Sequence, residues 1–386
     1  VTLPSAPAPR DGLAAALARA WFRPRLAAGL WPLAPLSGLF AAVSGLRRLA
    51  YARGWARTER LPVPVVVVGN LTVGGAGKTP LTQALARELA ARGKRPGIVS
   101  RGYGGSGGAA GDAPRPVAPG DDPAVVGDEP LLLAATGVPV WVGRDRAAAA
   151  RTLLAAHPDT DLILCDDGLQ HLRLGRDLEI AVFDRRGPGN GWRLPTGPLR
   201  DPLPRLGRLA GGGAVVVNGG RTALAGRLDA HLGAVPVFDM TLAPEDFVAL
   251  DDPGRRIAPA ELAARLAAGG RRAVAIAGIG DPSRFFATLG DLGLSCENRA
   301  FPDHHAYGPE DFAGLEDAVV LMTEKDGVKC RSLPLAGRAQ EAWVLPVAAR
   351  LAPDLAAYVL EKIDGCSPAR HPGLPGVQGQ PGIPKD

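Results

Sequence analysis

The chain has 386 residues, 46% of them hydrophobic but only 5% aromatic, a length that carries two domains with ample core built mainly from Ala, Leu and Val. With 44 basic against 39 acidic side chains, the net charge of +5 suits an anionic partner, and no nucleic-acid partner is expected. Four cysteines, at 165, 296, 330 and 366, form no C-x-x-C pair and no metal spacing, which excludes a cysteine-based metal centre and suits a reducing compartment.

The basic excess concentrates at the N-terminus, where nine arginines between Arg10 and Arg60 face only Asp11 and Glu59. Leu26 to Leu46 carries no charge, and Trp21, Trp31 and Trp55 lie in or near it. A transmembrane span or a signal sequence shares these features. Pro32, Pro35 and three glycines interrupt the stretch, however, and arginines flank both sides. A short, broken, Arg-flanked apolar helix with Trp anchors is expected to lie in a membrane interface. The alternative is an amphipathic helix packed on its own domain.

Val65 to Pro80 reads VVVVGNLTVGGAGKTP. Four β-branched residues in a row make a buried parallel strand. Gly74, Gly75, Ala76 and Gly77 form a tight turn whose N–H groups point inward, and a helix over Leu81 to Ala91 brings its positive end to the same spot. Lys78 is expected to reach the β- and γ-phosphates of a nucleotide and the Thr79 hydroxyl to sit on Mg²⁺. The strict phosphate-loop pattern wants glycine at position 72, where this chain has Thr.

From Leu61 to about Arg205, strands and helices alternate as in a doubly wound sheet. Strands are predicted over Val65–Val68, Arg95–Ser100, Val138–Val142, Asp161–Cys165 and Glu179–Phe183. Arg101-Gly-Tyr103 adds a cation and an aromatic, and Ala109 to Ala124 is a loop over the site. Gly127-Asp128-Glu129-Pro130 opens a helix, as a capping sequence would. Two adjacent carboxylates near a triphosphate also suggest a metal contact and a proton acceptor. Asp161 to Asp167 is an apolar strand ending in two carboxylates, and a phosphate-loop enzyme needs such an acid to hold Mg²⁺. Arg200, in Thr196-Gly-Pro-Leu-Arg200, is the candidate for offsetting charge on the transferred phosphoryl group.

The Pro-rich stretch Leu199 to Arg208 reads as a domain boundary. Strands resume at Ala214–Val217, Val274–Ile279, Val319–Thr323 and Ala342–Pro346, with a helix over Pro282–Leu289. Vicinal His304 and His305 resemble a metal pair, but no further Cys or His has ligand spacing. Glu324-Lys325-Asp326 and Asn218-Gly-Gly-Arg both fail the Asn-Lys-x-Asp guanine pattern, so ATP is favoured over GTP. The expected division is an N-terminal interface helix over 1–60, a phosphate-loop core over 61–205, a second, smaller α/β domain over 206–364 that closes over the site, and a disordered tail over 365–386.

Together these segments resemble the tetraacyldisaccharide 4′-kinase family, the lipid A 4′-kinases of Gram-negative bacteria. The resemblance rests on Gly69 to Pro80, Ser100 to Gly104, Gly127 to Pro130, Asp166 to His171, Gly189-Asn-Gly, Gly197 to Arg200, Phe301 to His305 and Thr323 to Asp326, in family order. Thr72 belongs to the family's version of the loop; Ala76 stands for a usual Thr and Gly327 for a usual Ala. The resemblance implies a phosphate-loop α/β kinase that moves the ATP γ-phosphoryl group to the 4′-hydroxyl of a tetraacylated glucosamine disaccharide 1-phosphate, giving lipid IVA.

Carried over by motif, Lys78 and Thr79 bind phosphate and Mg²⁺, with Glu129 and Asp166 or Asp167 assisting the metal. Asp128, paired with His304, takes the hydroxyl proton. Gln170, His171 and Tyr103 help position nucleotide or substrate, and Arg200 steadies the transferring group. The implied setting is a monomer at the cytoplasmic face of the inner membrane. A regulatory NTPase would instead carry a guanine motif or a metal site. A non-catalytic adaptor would have lost Lys78, Thr79, Asp128 or Asp166, and a cytosolic small-molecule kinase would have no use for the N-terminal helix.

Overall fold

A computed structural model describes residues 13–102, 113–224, 226–331, 333, 339 and 341–365. Tyr103 and the expected tail from residue 366 onward lie outside them. The chain begins with helix α1 (Leu13–Trp21), a 3-10 run over Ala28–Leu33 and helix α2 (Ala34–Ala52). The alternating core then runs β1 (Val65–Gly69), α3 (Lys78–Ala91), β2 (Pro96–Ser100), β3 (Arg115–Pro116), α4 (Pro123–Val126), α5 (Asp128–Ala134), β4 (Val140–Val142), α6 (Arg146–Ala156), β5 (Leu162–Asp166) and β6 (Leu178–Asp184). Next come β7 (Gly213–Asn218), α7 (Asp229–Leu232) and β8 (Val237–Pro244).

These strands form a nine-stranded sheet in the order β15-β8-β7-β6-β1-β5-β2-β4-β3, where β15 is Val347–Ala352. Only its outermost strands, β15 and β3, are antiparallel to their neighbours. The four valines of β1 explain its central place. Val66 and Val68 pack on one face with Leu81, Leu85 and Leu89 of α3. Val65 and Val67 pack on the other with Ala150 and Leu153 of α6. A strand covered on both faces reads as a continuous apolar run. The chain leaves β1 with β5 on one side and β6 on the other, and ligands bind such sheets at the carboxyl ends of the strands where the order reverses.

The sheet runs across the boundary expected at residues 205–206. The Pro-rich stretch forms a 3-10 run over Leu203–Gly211 that carries the chain from β6 to parallel β7, so β7 and β8 extend the first sheet. Proline and glycine mark any break in regular structure, and a crossover between parallel strands needs one as much as a domain junction does. The second sheet is an insertion between β8 and β15. It holds β9 (Phe247–Ala249), β10 (Arg256–Ile257), α8 (Pro259–Gly269), β11 (Ala273–Ala277), α9 (Pro282–Asp291), β12 (Glu297–Ala300), β13 (Val319–Thr323), α10 (Glu324–Cys330) and β14 (Glu341–Leu345), with strand order β10-β9-β14-β13-β11-β12. After it, β15 and α11 (Leu355–Asp364) return to the first body, where Leu355 and Val359 join the α3 core. The strand expected to reach Ile279 ends at Ala277, because Gly278 begins the turn into α9. The loop expected over 109–124 contains β3 and the start of α4.

Candidate active site at the phosphate loop and the junction of the two sheets

The turn after β1 wraps around Asn70, which is fully buried. Its amide nitrogen donates to the Gly74 carbonyl at 3.1 Å, and its Oδ1 accepts from Lys78 Nζ at 3.3 Å and from Arg200 at 2.5 Å. Gly74 and Gly77 sit at φ of 97° and 93°, a region that side chains rarely adopt. Helix α3 starts directly at Lys78 with Gly77 as its N-cap and no side-chain cap, which leaves its first N–H groups for an anion. A Cβ at Gly77 would come within 2.7 Å of Asn218 Nδ2, which itself donates to the Ala76 carbonyl at 3.2 Å. Gly77→Ala is therefore expected to destabilise the loop by about 1–3 kcal/mol and to weaken ATP binding. Thermal unfolding with and without ATP checks this, and an unchanged midpoint in both conditions would contradict it.

The two carboxylates at the end of β5 have different surroundings. Asp166 is fully buried, lies opposite Val68 in the sheet, and accepts from Thr82 at 3.0 Å through Oδ1. Its Oδ2 has no partner, and burial together with the charge of Glu129 pushes its carboxyl up to about 7. Asp167, at φ 47°, turns toward Arg200 at 2.7 Å and Lys78 at 3.9 Å. Burial pushes its carboxyl up, but those two cations outweigh it and hold the group at about 2.

Asp128 and Glu129 open α5, which packs beside α3 through a hydrogen bond from Gln83 to the Leu132 carbonyl at 2.8 Å. The N-cap is Gly127, so Asp128 is not the capping residue. Its Oδ1 accepts from the Glu129 N–H at 2.9 Å, while Oδ2 lies 3.2 Å from His304 Nδ1 of the inserted sheet. Burial raises the Asp128 carboxyl, and the hydrogen bond from His304 with the charge of Lys325 outweighs it, so the net shift is downward. His304 moves up, chiefly through that same hydrogen bond. The share of stability from Asp128 is thus present above its ordinary 3.8 and is lost as pH falls through its lowered value. The share from His304 is present below its ordinary 6.5 and is lost as pH rises through its raised value. The pair therefore contributes in full between 3.8 and 6.5, and its share falls away beyond the shifted values on either side.

Other expected residues fall into distinct roles. Arg200 reaches the loop through Asn70 and Asp167, as above. Gln170 donates to the Asn70 carbonyl at 3.2 Å and to Asp201 at 2.9 Å, so it braces the loop from behind. His171 is brought to Asp145, 3.8 Å from its Nε2, and not to the loop; burial and then the charge of Arg146 push it down to about 4, leaving it neutral. His305 pairs with Asp311 at 2.9 Å and stacks on Phe301, so the vicinal histidines are not a metal pair.

Three residues were missed as site candidates. Asn70 stands in the sequence only as part of the Gly69–Pro80 stretch and Asn218 only within a failed guanine pattern, and an asparagine at a strand end is ordinary turn chemistry. Lys325 figures in the sequence within a failed guanine pattern and the Thr323 to Asp326 stretch, with no role attached. Its Nζ lies 3.2 Å from Asp303, 3.5 Å from Glu129 and 3.7 Å from Asp128.

The N-terminal helices join the same region. Ser37 of α2 donates to Thr196 at 2.6 Å, Arg48 pairs with Asp201 at 2.8 Å, and Trp21 donates to the Pro195 carbonyl at 2.8 Å. The opposite face of α2 is bare: Leu36, Leu39, Val43 and Leu46 are 52%, 62%, 61% and 62% exposed, beside Trp31 and Trp55. Residues Ala28–Ala52 are long and apolar enough to cross a membrane, by length and composition.

A family model described as tetraacyldisaccharide-1-P 4′-kinase matches residues 29–364. The tetraacyldisaccharide 4′-kinase of Dechloromonas aromatica is 52% identical over 355 residues, 92% of this chain and 98% of that protein. The tetraacyldisaccharide 4′-kinase of Chromobacterium violaceum is 54% identical over 350 residues, 89% of this chain and 96% of that protein. Among solved structures, LpxK from Aquifex aeolicus in complex with ATP is similar, with a TM-score of 0.69 and 28% identity, covering 86% of this chain and 99% of that one.

Proposed function

The chain belongs to the tetraacyldisaccharide-1-P 4′-kinase family, and from that premise we propose how its own residues carry the reaction at a membrane surface. It is an ATP-dependent kinase that transfers the γ-phosphoryl group to the 4′-hydroxyl of tetraacyldisaccharide 1-phosphate, forming lipid IVA in lipid A biosynthesis. The observation that carries the proposed site is the 3.2 Å contact between Asp128, beside the phosphate loop, and His304 of the inserted sheet.

In this reading the N–H groups of the 74–79 turn and Lys78 hold the β- and γ-phosphates. Arg200, already turned into the loop, faces the charge on the transferring group. The bond from the γ-phosphorus to the acceptor oxygen forms as the bond to the departing ADP oxygen breaks, and the hydroxyl proton passes to Asp128. A loose transition state demands little of the base, because the hydroxyl becomes strongly acidic only as its bond to phosphorus forms. A carboxylate held ionised by His304 and Lys325 is therefore a sufficient acceptor. Closure of the inserted sheet against α5 keeps water from competing with the sugar.

Asp166, with its unpartnered Oδ2, would hold Mg²⁺ together with Thr79 and Glu129. Among the described residues no three His, Cys, Asp or Glu side chains converge as a metal site. Mg²⁺ fits such a sparse set, since it takes one or two carboxylates and fills its shell with water and phosphate oxygens. When bound, it neutralises charge on the β- and γ-phosphates. Asp167, held by Arg200 and Lys78, serves the loop instead.

The acceptor carries four acyl chains, so the enzyme works where they are anchored. The bare face of α2, its tryptophans and the flanking arginines suit the cytoplasmic face of the inner membrane. The proposed site draws Asp128 and His304 from the same chain, so a monomer suffices for it. Replacing Leu39, Val43 and Leu46 together by serine removes three mostly exposed apolar side chains and is expected to weaken binding to anionic vesicles by about 100-fold. ATP binding should stay unchanged. Vesicle co-sedimentation reads the first and equilibrium dialysis the second; unaltered co-sedimentation would remove α2 as the anchor.

A further inference from the structure

We propose that Lys325 is a positioning residue for phosphoryl transfer, the cation that draws the inserted sheet onto α5 so that His304 meets Asp128. The inference rests on the reading of Asp128 as proton acceptor. Lys325 stands at the start of α10, and its side chain is 17% exposed. Its Nζ reaches both bodies at once: Asp128 at 3.7 Å and Glu129 at 3.5 Å on α5, Asp303 at 3.2 Å and His304 Nε2 at 3.4 Å on its own side. Three carboxylates thus converge on one ammonium at the seam where the phosphate loop faces the insertion.

The start of α10 is held in place. Thr323 caps the helix through the Asp326 N–H, and Asp326, fully buried, accepts from the Gly278 N–H at 3.1 Å. The turn that follows brings Gly280 against the loop, where a Cβ would lie 3.9 Å from the Gly75 nitrogen. The hydrogen-bonded unit that carries Lys325 therefore lies against the phosphate loop. Without the ammonium, Asp303 faces Asp128 and Glu129 across the seam with like charge, which opposes closure and misaligns His304. Small misplacements of a reacting pair are costly, so the effect belongs in turnover and not in nucleotide affinity.

The test compares full-length Lys325→Met, Lys325→Arg and Asp128→Asn in mixed micelles of the lipid acceptor, with thermal unfolding alongside. Lys325→Met is expected to lower kcat by about 10²-fold while KM for ATP stays within about threefold. Lys325→Arg, which keeps the charge, should restore at least about tenfold of that loss. In the Asp128→Asn background, Lys325→Met should add less than about threefold, because both act through one pair. Near-normal kcat in Lys325→Met, with Asp128→Asn inactive, overturns the inference and leaves the acceptor role of Asp128 standing. An equal loss in Met and Arg variants that follows a drop in unfolding temperature also overturns it, since that is a purely structural role. Near-normal turnover in Asp128→Asn removes the underlying reading and this inference with it.

Discussion

Asp128→Asn is expected to lower kcat by about 10²–10⁴-fold, the usual worth of a positioned proton acceptor, with ATP affinity changed by less than about threefold. Asparagine keeps the shape of the side chain and can still accept the hydrogen bond from His304, so the seam between the sheets should persist. What it loses is the ability to take a proton. The carboxylate is well placed for that task because one oxygen is fixed by the Glu129 N–H and the other by His304. Single-turnover transfer with saturating ATP reads the chemical step directly. A rate within about threefold of the parent would exclude Asp128 from the proton transfer.

Lys78→Ala is expected to lower kcat/KM by about 10³-fold, the upper range for removing one donor aimed at developing charge. The geometry adds a second contribution. Lys78 lies 3.9 Å from Asp167, so its removal leaves that carboxylate beside the phosphates with Arg200 and the weaker influence of Arg146 to offset it. ATP affinity should therefore fall as well, in contrast to Asp128→Asn. The double variant Lys78→Ala/Asp167→Asn should recover part of the lost affinity, because it removes the uncompensated charge along with the cation. Equilibrium binding of ATP to the three proteins checks this; equal affinity in the single and double variants would show that Asp167 does not bear on the nucleotide.

The phosphate loop and the strands around it were legible in the sequence because their physics is local. A run of four valines reads as a doubly covered strand, and Gly74 and Gly77 take positive backbone angles that favour glycine. The pairing of Asp128 with His304 came from the resemblance to a family, since 176 residues separate them. No periodicity connects positions so far apart. The boundary at residues 205–206 misled for a related reason: a Pro-rich break shows that regular structure stops, but the partner of the next strand is set by packing over the whole sheet. Lys325 was invisible as a site residue because its significance lies in the three carboxylates that surround it, two of them almost 200 positions earlier in the chain. His171 entered through the family resemblance together with Gln170; in the structure Gln170 donates to the Asn70 carbonyl while His171 lies 3.8 Å from Asp145, a difference of partner that adjacency in sequence does not show.

In the proposed reaction the phosphoryl group passes from ATP to a membrane-held sugar at a site closed between two bodies of one chain. The direct measurement follows ATP labelled in the γ-phosphate with the tetraacyl disaccharide 1-phosphate in mixed micelles, alongside Lys78→Ala and Asp128→Asn. Label is expected in the lipid with the parent protein and almost none with either variant. Label released as free phosphate while the lipid stays unlabelled would contradict it, because a closed site that hands the proton to Asp128 does not favour water as acceptor.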